Sequence, residues 1–158
     1  MLPKGWSKHH FGDVVDIASG QIDPRKQPYS FMRHLGPEDI ESDTGRIVGG
    51  DKTCAELGLI SGKYEFDERA VVYSKIRPHL NKVCRPGFSG VCSADAYPIW
   101  PHEHHLSGDY LAQYMLSPAF VKVAVACSMR TGMPKINRND LQHINIRLPP
   151  LSEQHAIV

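Results

Sequence analysis

Cationic side chains in this sequence cluster next to a strand-like stretch and next to a glycine turn. The first group combines a hydroxyl with two cations in Tyr73-Ser74-Lys75-Ile76-Arg77. The second group is Arg130-Thr131-Gly132-Met133-Pro134-Lys135, where a glycine turn lets backbone N–H groups approach an anion alongside two cations. Lysine, arginine and free N–H groups bind phosphate oxygens, so both stretches are candidates for contacts with a phosphate backbone. The ordinary alternatives are a solvated sheet edge for the first and a structural turn for the second.

Amide and guanidinium side chains recur in a third stretch, the polar loop from Gln21 to Pro28. Its two prolines predict an exposed loop. Gln21, Arg25 and Lys26 have the donors and acceptors that pair with the edges of adenine and guanine. We therefore interpret this loop as a candidate base-reading segment.

Histidines and cysteines could instead hold a metal ion. His102, His104 and His105 follow two cysteines with Cys-x7-Cys spacing, and the four cysteines of the chain form no CxxC pair. Structural zinc sites place their ligands in tighter pairs, so we expect reduced thiols and no metal site. A small metal-dependent hydrolase built on these histidines and Asp95 is an alternative function of a different class.

Catalytic motifs are weak or missing. Gly87-Phe88-Ser89-Gly90 lacks the Gly-x-Ser-x-Gly nucleophile elbow, and no Gly-x-Gly-x-x-Gly phosphate cradle occurs. No Asn-Pro-Pro-Tyr stretch of the kind that surrounds a flipped adenine is present, so we do not expect the chain itself to methylate DNA. Asp67-Glu68 and Lys75 are too loosely spaced for an acidic nuclease site.

Length and composition are those of one ordinary globular domain. The chain has 158 residues, of which 41% are hydrophobic and 22% charged, so that neither disorder nor a fibrous repeat is indicated. The sequence contains no apolar run of the roughly 18 to 20 residues that a membrane span requires, and its N-terminus has no apolar signal core. We expect a cytoplasmic protein without a membrane partner.

Charge is distributed unevenly although the formal net charge is only +1. Residues 36–68 hold nine acids and three bases, whereas residues 69–101 and 120–147 each hold five bases and one acid. A nucleic-acid-binding protein can place its cations on one face while acids elsewhere cancel the total. The two basic segments are therefore the expected sources of such a face.

Local patterns predict short elements that position these side chains. The β-branched stretch 68–75 is the best strand, and we expect others at 29–32, 81–84, 91–93, 96–100 and 144–148. Pro98 indicates an edge strand or a bulge. Helical segments are expected at 11–18, 36–40, 107–116, 119–127, 138–143 and from 151 onward, with loops between 41 and 63. The fold class is α/β (α+β): one domain, with a twisted, mostly antiparallel or mixed sheet and short packed helices.

Several motifs follow one another in an order that resembles the target recognition domain of type I restriction-modification DNA specificity subunits. The resemblance covers roughly residues 5–158, and each motif alone is weak whereas the ordered set is specific. In chain order the motifs are Gly12-Asp13-Val14-Val15-Asp16-Ile17-Ala18-Ser19-Gly20, Val72-Tyr73-Ser74-Lys75-Ile76-Arg77-Pro78-His79-Leu80-Asn81-Lys82, Cys92-Ser93-Ala94-Asp95-Ala96-Tyr97, Tyr110-Leu111-Ala112-Gln113-Tyr114-Met115-Leu116-Ser117-Pro118, Thr131-Gly132-Met133-Pro134 and Leu148-Pro149-Pro150-Leu151-Ser152-Glu153-Gln154.

The resemblance implies a non-catalytic reader of double-stranded DNA that recognises one half of a bipartite target. Partner methyltransferase subunits would methylate adenine with S-adenosylmethionine, and a motor-nuclease subunit using ATP and Mg²⁺ would join them for restriction. No cofactor is expected in this chain. A second recognition domain, in the same or another chain, would read the other half of the target. The recognition domain of a fused restriction-methyltransferase is an alternative within the same class.

The resemblance also divides the chain into a recognition domain, residues 1–148, and the start of a truncated spacer helix, residues 149–158. The predicted contacts with partner subunits are Leu151, Gln154, Ile157 and Val158. We expect Leu151, Ile157 and Val158 to be partly exposed. The predicted DNA contacts are Gln21, Arg25, Lys26, Ser74, Lys75, Arg77, Lys82, Arg130, Thr131, Lys135 and Arg138.

Overall fold

A computed structural model describes residues 1–129 and 132–157, which form a single α+β domain, as the sequence predicts. Within these ranges the strands are β1 (Ser7–His10), β2 (Val15–Ile17), β3 (His34–Leu35), β4 (Tyr64–Phe66), β5 (Val71–Ser74), β6 (Val83–Cys84), β7 (Gly90–Cys92), β8 (Ala96–Pro101) and β9 (Asn145–Leu148). The helices are α1 (Cys54–Leu57), α2 (Gly108–Leu116), α3 (Pro118–Ser128), α4 (Arg138–Gln142) and α5 (Leu151–Ile157). Short 3-10 helices occupy Phe11–Asp13, Tyr29–Phe31, Pro37–Asp39 and Pro78–Leu80.

In the described chain the strands are divided among three small sheets rather than one. An antiparallel sheet has the order β2-β8-β5-β6, and a mixed sheet has the order β3-β7-β4, in which β3 runs parallel to β7. A third sheet pairs β1 with β9, from Ser7 opposite Leu148 to His10 opposite Asn145. The predicted mixture of antiparallel and parallel pairing is confirmed, but the strands are divided among three sheets instead of forming one.

Strand β8 lies between β2 and β5, so the prediction of an edge strand at Pro98 is wrong. Pro98 accepts a hydrogen bond from the Ala18 N–H at 2.9 Å, which shows that its nitrogen also faces the β2 side. Because β2 ends at Ile17, opposite Ile99, the missing N–H of Pro98 falls just past the end of that strand. A proline is therefore tolerated here without losing a hydrogen bond inside the ladder.

Two predicted elements near the N-terminus are wrong. The segment 11–18 is not one helix but the 3-10 turn Phe11–Asp13 followed by β2, where β-branched Val15 and Ile17 pair with β8. The predicted strand at 29–32 is the 3-10 turn Tyr29–Phe31, in which the Phe31 N–H reaches the Pro28 carbonyl at 3.1 Å. The spacing of apolar residues could not distinguish helix from strand in these short segments, because contacts with distant parts of the chain decide their conformation.

Side-chain caps set the ends of the longer helices. The Ser107 hydroxyl accepts from the Tyr110 N–H at 3.1 Å to begin α2, and Ser117 both ends α2 and caps α3, whose first residue is Pro118. The predicted helices at 107–116 and 119–127 are confirmed. In the part of the chain that the structure covers, no single helix has the length and apolar composition to cross a membrane, and α2 with α3 passes that test only as a pair bent by 65°.

An aromatic cluster joins α3 to the strands. The Phe120 ring is fully buried and lies 5.8 Å from the ring of Phe11, 6.0 Å from Tyr73 and 5.7 Å from Tyr114 between centroids. These four rings come from α2, α3, β5 and the N-terminal 3-10 turn. Burial of such rings is the largest apolar contribution to the packing, and it fixes the position of the antiparallel sheet against the helices.

His34 gives the fold a predicted sensitivity to acid. Its side chain in β3 is 7% exposed, and its Nε2 has no hydrogen-bond partner among the described residues. Burial, followed by the charge of Lys63, lowers the pKa of His34. The unfolded chain therefore binds a proton at higher pH than the folded chain, so stability is complete above the ordinary histidine pKa of about 6.5 and decreases as the pH falls below it.

We expect His34→Gln to remove part of this acid sensitivity. Urea unfolding of the variant and the unchanged chain at a series of pH values between about 7 and 5 measures the difference. The stability of the unchanged chain should fall more steeply with decreasing pH. Parallel curves for the two proteins would contradict the prediction, and His104→Gln, at an exposed position, is the matched control.

Candidate nucleic-acid interface

The two basic segments meet through backbone pairing just beyond the end of β5. Ile76 and Lys135 form an isolated antiparallel bridge, the Ile136 N–H donates to the Lys75 carbonyl at 2.9 Å, and the Arg77 N–H donates to the Pro134 carbonyl at 2.8 Å. Residues almost 60 positions apart in the chain are therefore neighbours. This pairing places Lys75, Arg77 and Lys135 at one end of the antiparallel sheet.

Tyr97, in β8, organises two of the cations. The Lys75 Nζ lies 4.7 Å and the Arg138 Cζ lies 5.0 Å from the centroid of the Tyr97 ring. A cation over an aromatic face is attracted by the quadrupole of the ring. The buried Tyr97 ring also lies 6.3 Å from that of Tyr64, so the platform is part of the packed interior. We call Lys75, Arg77, Tyr97, Lys135 and Arg138 the Tyr97 cluster.

The positive charges of the cluster act on one another. Burial lowers the pKa of Lys75. The charges of Lys135 and Arg138 lower it further, and the charge of Asp95 opposes this shift. Burial raises the pKa of Tyr97, while the charge of Arg138 lowers it. Repulsion between these neighbouring cations destabilises the folded chain, and a bound anion would relieve that repulsion.

Arg77 has an unusual backbone. Its φ is 46°, in the left-handed region that costs a residue other than glycine about 1–2 kcal/mol. The hydrogen bond from its N–H to the Pro134 carbonyl holds it there, at the start of the 3-10 helix Pro78–Leu80. The Arg77 side chain is exposed. Such backbone strain, where it occurs, is often found at functional positions.

Arg138 is the first residue of α4 and is held from two directions. The Asn137 side chain caps the helix by accepting from the Asp140 N–H at 2.8 Å. The Arg138 Nη1 donates to the Ile17 carbonyl, at the end of β2, at 3.1 Å. The guanidinium therefore lies between the Tyr97 ring and the β2 end, and it is half-buried.

The polar loop at 21–28 divides into two parts. Gln21 is exposed and packs over Gly62, and the adjacent Ile22–Lys63 bridge leads directly to Tyr64 beside the Tyr97 cluster. Arg25 is exposed but engaged by Asp23, with Nε–Oδ1 and Nη2–Oδ2 distances of 3.0 Å. The hydrogen bond from Arg25 lowers the pKa of Asp23 to about 2. Lys26 is exposed on the same loop.

Two of the residues predicted to contact DNA have partners inside the domain, and their contacts with DNA stay predictions. Ser74 is only 3% exposed, and its hydroxyl donates inward to the Ile76 carbonyl at 3.2 Å, because the whole of β5 is buried. Lys82 is half-buried and donates from Nζ to the Pro37 carbonyl at 2.9 Å. Both line a cleft of about 230 Å³ beside Arg77. Their contacts are structural ones that sequence position alone does not reveal. Arg130 and Thr131 lie outside the described residues.

Helix α5 presents a different set of side chains. Leu151 is half-buried and Ile157 is 54% exposed, in agreement with the expected exposure, while Val158 lies outside the described residues. Gln154 is fully buried within the domain, and its contact with a partner subunit stays a prediction. Its amide accepts from the Ser107 N–H at 2.8 Å and donates to the His105 and Pro149 carbonyls at 2.6 and 3.0 Å.

The histidine alternative gains no support from the geometry. His102 lies 3.1 Å from Asp16 between Nε2 and Oδ1, while the rings of His104 and His105 contact each other. Among residues 1–129 and 132–157, no three histidine, cysteine, aspartate or glutamate side chains come close enough to hold a metal ion. Burial raises the pKa of the Cys84 thiol to about 12.

Sequence reasoning did not identify Tyr97 as part of the site. Its place near the start of a predicted strand rich in aromatic and apolar residues indicates a core residue rather than a platform for cations. The structure shows that it is both, because the buried ring contacts one cation from each of the two basic segments.

Comparison with known proteins gives consistent results. The model of the type I restriction modification DNA specificity domain matches residues 3–158. The chain is 43% identical over 157 residues to the specificity subunit of the type I restriction enzyme EcoDI of Escherichia coli, a match that covers 99% of this chain and 34% of that subunit. The chain thus spans about one third of the length of this curated relative.

Solved structures share the fold. The HsdS subunit from Thermoanaerobacter tengcongensis has a TM-score of 0.84 at 23% identity, over 99% of this chain and 41% of that one. The type I restriction-modification S subunit from M. genitalium has a TM-score of 0.63 at 15% identity, over 99% and 38%. A match of the family model to almost the whole sequence, together with 43% identity to a curated specificity subunit, shows that the chain belongs to the type I restriction-modification DNA specificity domain family.

Proposed function

We propose that this chain binds double-stranded DNA in a sequence-specific manner, as the half-site reader of a type I restriction-modification complex. The observation that supports it most strongly is the Tyr97 cluster, in which Lys75 and Arg138, from two distant segments, lie over one aromatic ring. The Ile76–Lys135 backbone bridge brings Arg77 and Lys135 to the same end of the sheet. Converging cations of this kind bind a polyanion, and membership of a DNA specificity family identifies that polyanion as DNA.

In this proposal the chain itself catalyses no reaction. Its partners are methyltransferase subunits that methylate adenine with S-adenosylmethionine and a motor-nuclease subunit that uses ATP and Mg²⁺. A second recognition domain completes the bipartite target. Helix α5, with Ile157 exposed and Leu151 half-buried, is the proposed start of the spacer helix along which those subunits dock. The proposed contacts with DNA are made by Gln21, Lys26, Lys75, Arg77, Lys135 and Arg138.

The direct test is a fluorescence anisotropy titration of labelled genomic duplex fragments with this chain at several salt concentrations. Binding should weaken steeply as salt rises, because each neutralised phosphate releases counterions. Absence of salt-sensitive binding from about 50 mM salt upward, both alone and with methyltransferase subunits, would reject the proposed function.

Lys135→Gln is the informative variant for this test. Lys135 is exposed beside Arg77, and its loss should reduce the slope of log K against log salt by about 0.9, the value for one phosphate contact. Lys8→Gln is the matched control, since Lys8 is an exposed lysine in the separate β1–β9 sheet. Equal slopes for the two variants would show that the Tyr97 cluster is not the DNA-binding face.

A further inference from the structure

The four cations of the Tyr97 cluster differ in their freedom to move. Arg77 and Lys135 are exposed, whereas Lys75 and Arg138 are half-buried and lie over the Tyr97 ring. A long exposed side chain can follow a phosphate wherever the backbone places it. A side chain held in one position can instead distinguish between ligands that differ by one hydrogen-bonding group.

Arg138 is the more restricted of the two held cations. Its guanidinium has the Tyr97 ring at 5.0 Å from Cζ and the Ile17 carbonyl at 3.1 Å from Nη1, so the plane of the group is fixed by two different strands. Its main chain is fixed as well, because it begins α4 directly after the Asn137 cap. Within the described residues that bond uses one of the five N–H donors of the guanidinium, so four donors remain for a ligand.

We propose that Arg138 is a specificity-determining residue that reads the major-groove edge of a guanine, with Tyr97 as its positioning residue. The inference rests on the proposed function. Guanine offers two acceptors, O6 and N7, at the spacing of two guanidinium N–H groups, and an arginine held in place pairs with both. Arg77 and Lys135 contact phosphates and supply affinity that is independent of sequence.

The distinction follows from the chemistry of each position. Arginine is needed at 138 because lysine is a point charge that cannot form two parallel hydrogen bonds with fixed geometry. At positions 77 and 135 a positive charge of either kind would serve a phosphate. Arg138→Lys should therefore change which DNA is bound, whereas Lys135→Gln should change how much of any DNA is bound.

Selection from a randomised duplex library measures the two effects separately. The unchanged chain should enrich a motif that contains at least one fixed guanine. Arg138→Lys should lose discrimination at that single base pair by about tenfold or more while keeping the rest of the motif. Lys135→Gln should keep every base preference and require more protein for the same recovery.

Variants of Tyr97 give an independent readout of positioning. Tyr97→Phe removes the hydrogen bond between the Tyr97 hydroxyl and the Arg138 backbone but keeps the ring under the guanidinium, so it should retain the guanine preference. Tyr97→Leu removes the ring as well and should weaken that preference. A merely structural role would lower recovery of all sequences alike in both variants. Circular dichroism confirms that each variant is folded before selection. If Arg138→Lys does not fold, the Phe and Leu pair still decides the question.

The outcomes separate this inference from the proposed function. An unaltered motif with Arg138→Lys, or loss at all positions equally, overturns the role of Arg138 while DNA binding by the unchanged chain stands. Salt-sensitive binding by the unchanged chain without any base preference also overturns it. No binding by the unchanged chain rejects the proposed function and this inference together.

Discussion

Phe120→Ala lowers the free energy of unfolding by about 3–5 kcal/mol, the expected cost of removing a fully buried aromatic side chain. Phe120 is 1% exposed and its ring contacts Phe11, Tyr73 and Tyr114. The cavity would lie where α3 meets the antiparallel sheet, and the three remaining rings cannot fill it without leaving their own positions. Because typical domains have a stability of only about 5–15 kcal/mol, this single change leaves a marginal protein.

Denaturant unfolding followed by circular dichroism measures the loss. Val123→Ala is the matched control, because Val123 is on the same helix but 43% exposed, and it should cost well under 1 kcal/mol. Phe120→Leu retains much of the buried volume and should fall between the two. A loss below about 1 kcal/mol for Phe120→Ala would show that the aromatic cluster is not the centre of the core.

Gln154→Ala is the second large effect, with an expected loss of about 2–4 kcal/mol. The Gln154 side chain is completely buried and satisfies the Ser107 N–H and the His105 and Pro149 carbonyls. Truncation leaves these three backbone groups without partners in a buried place, and each such group costs about 1–3 kcal/mol unless water enters. Since Ser107 is also the N-cap of α2, the start of that helix is weakened together with α5.

Gln154→Glu refines this test because it keeps the shape of the side chain. A carboxylate still accepts from Ser107 but cannot donate to the two carbonyls, so we expect a loss at least as large near neutral pH. His155→Ala, at the adjacent exposed position, is the control. Trp6 lies beside α5, because its indole N–H donates to Glu153 at 3.3 Å. If α5 separates from the domain first in a Gln154 variant, tryptophan fluorescence should change at a lower denaturant concentration than circular dichroism. Coincident transitions would show that α5 does not separate first.

Sequence patterns predicted the elements that carry their own signals. The β-branched run at Val71–Ser74, the Ser107 and Ser117 caps and the Asn137 cap are local features, and the corresponding strand and helices are confirmed. The capping box of Thr53 and Glu56 is equally local, yet the four-residue helix α1 that it begins falls in a stretch predicted as loops. A helix of four residues is too short to give a recognisable periodic pattern in the sequence.

The candidate site was predictable in its charges but not in its geometry. The sequence has basic residues at positions 75, 77, 135 and 138, and the family resemblance predicts that they contact DNA. Their convergence depends on the Ile76–Lys135 bridge and on a buried tyrosine, both of which are long-range. The burial of Ser74 and Gln154 depends on packing in the same way, so the sequence did not predict it.

The antiparallel pairing of β1 with β9 brings the first and last strands of the domain together. Ser7 lies opposite Leu148, and α5 begins three residues after Leu148. Flanking segments of a longer polypeptide would therefore join a domain of this architecture side by side. Such a domain can be replaced by another of the same build without separating the segments it connects, and its binding preference can change while the surrounding scaffold keeps its geometry. Recognition and assembly thereby become properties that can vary independently.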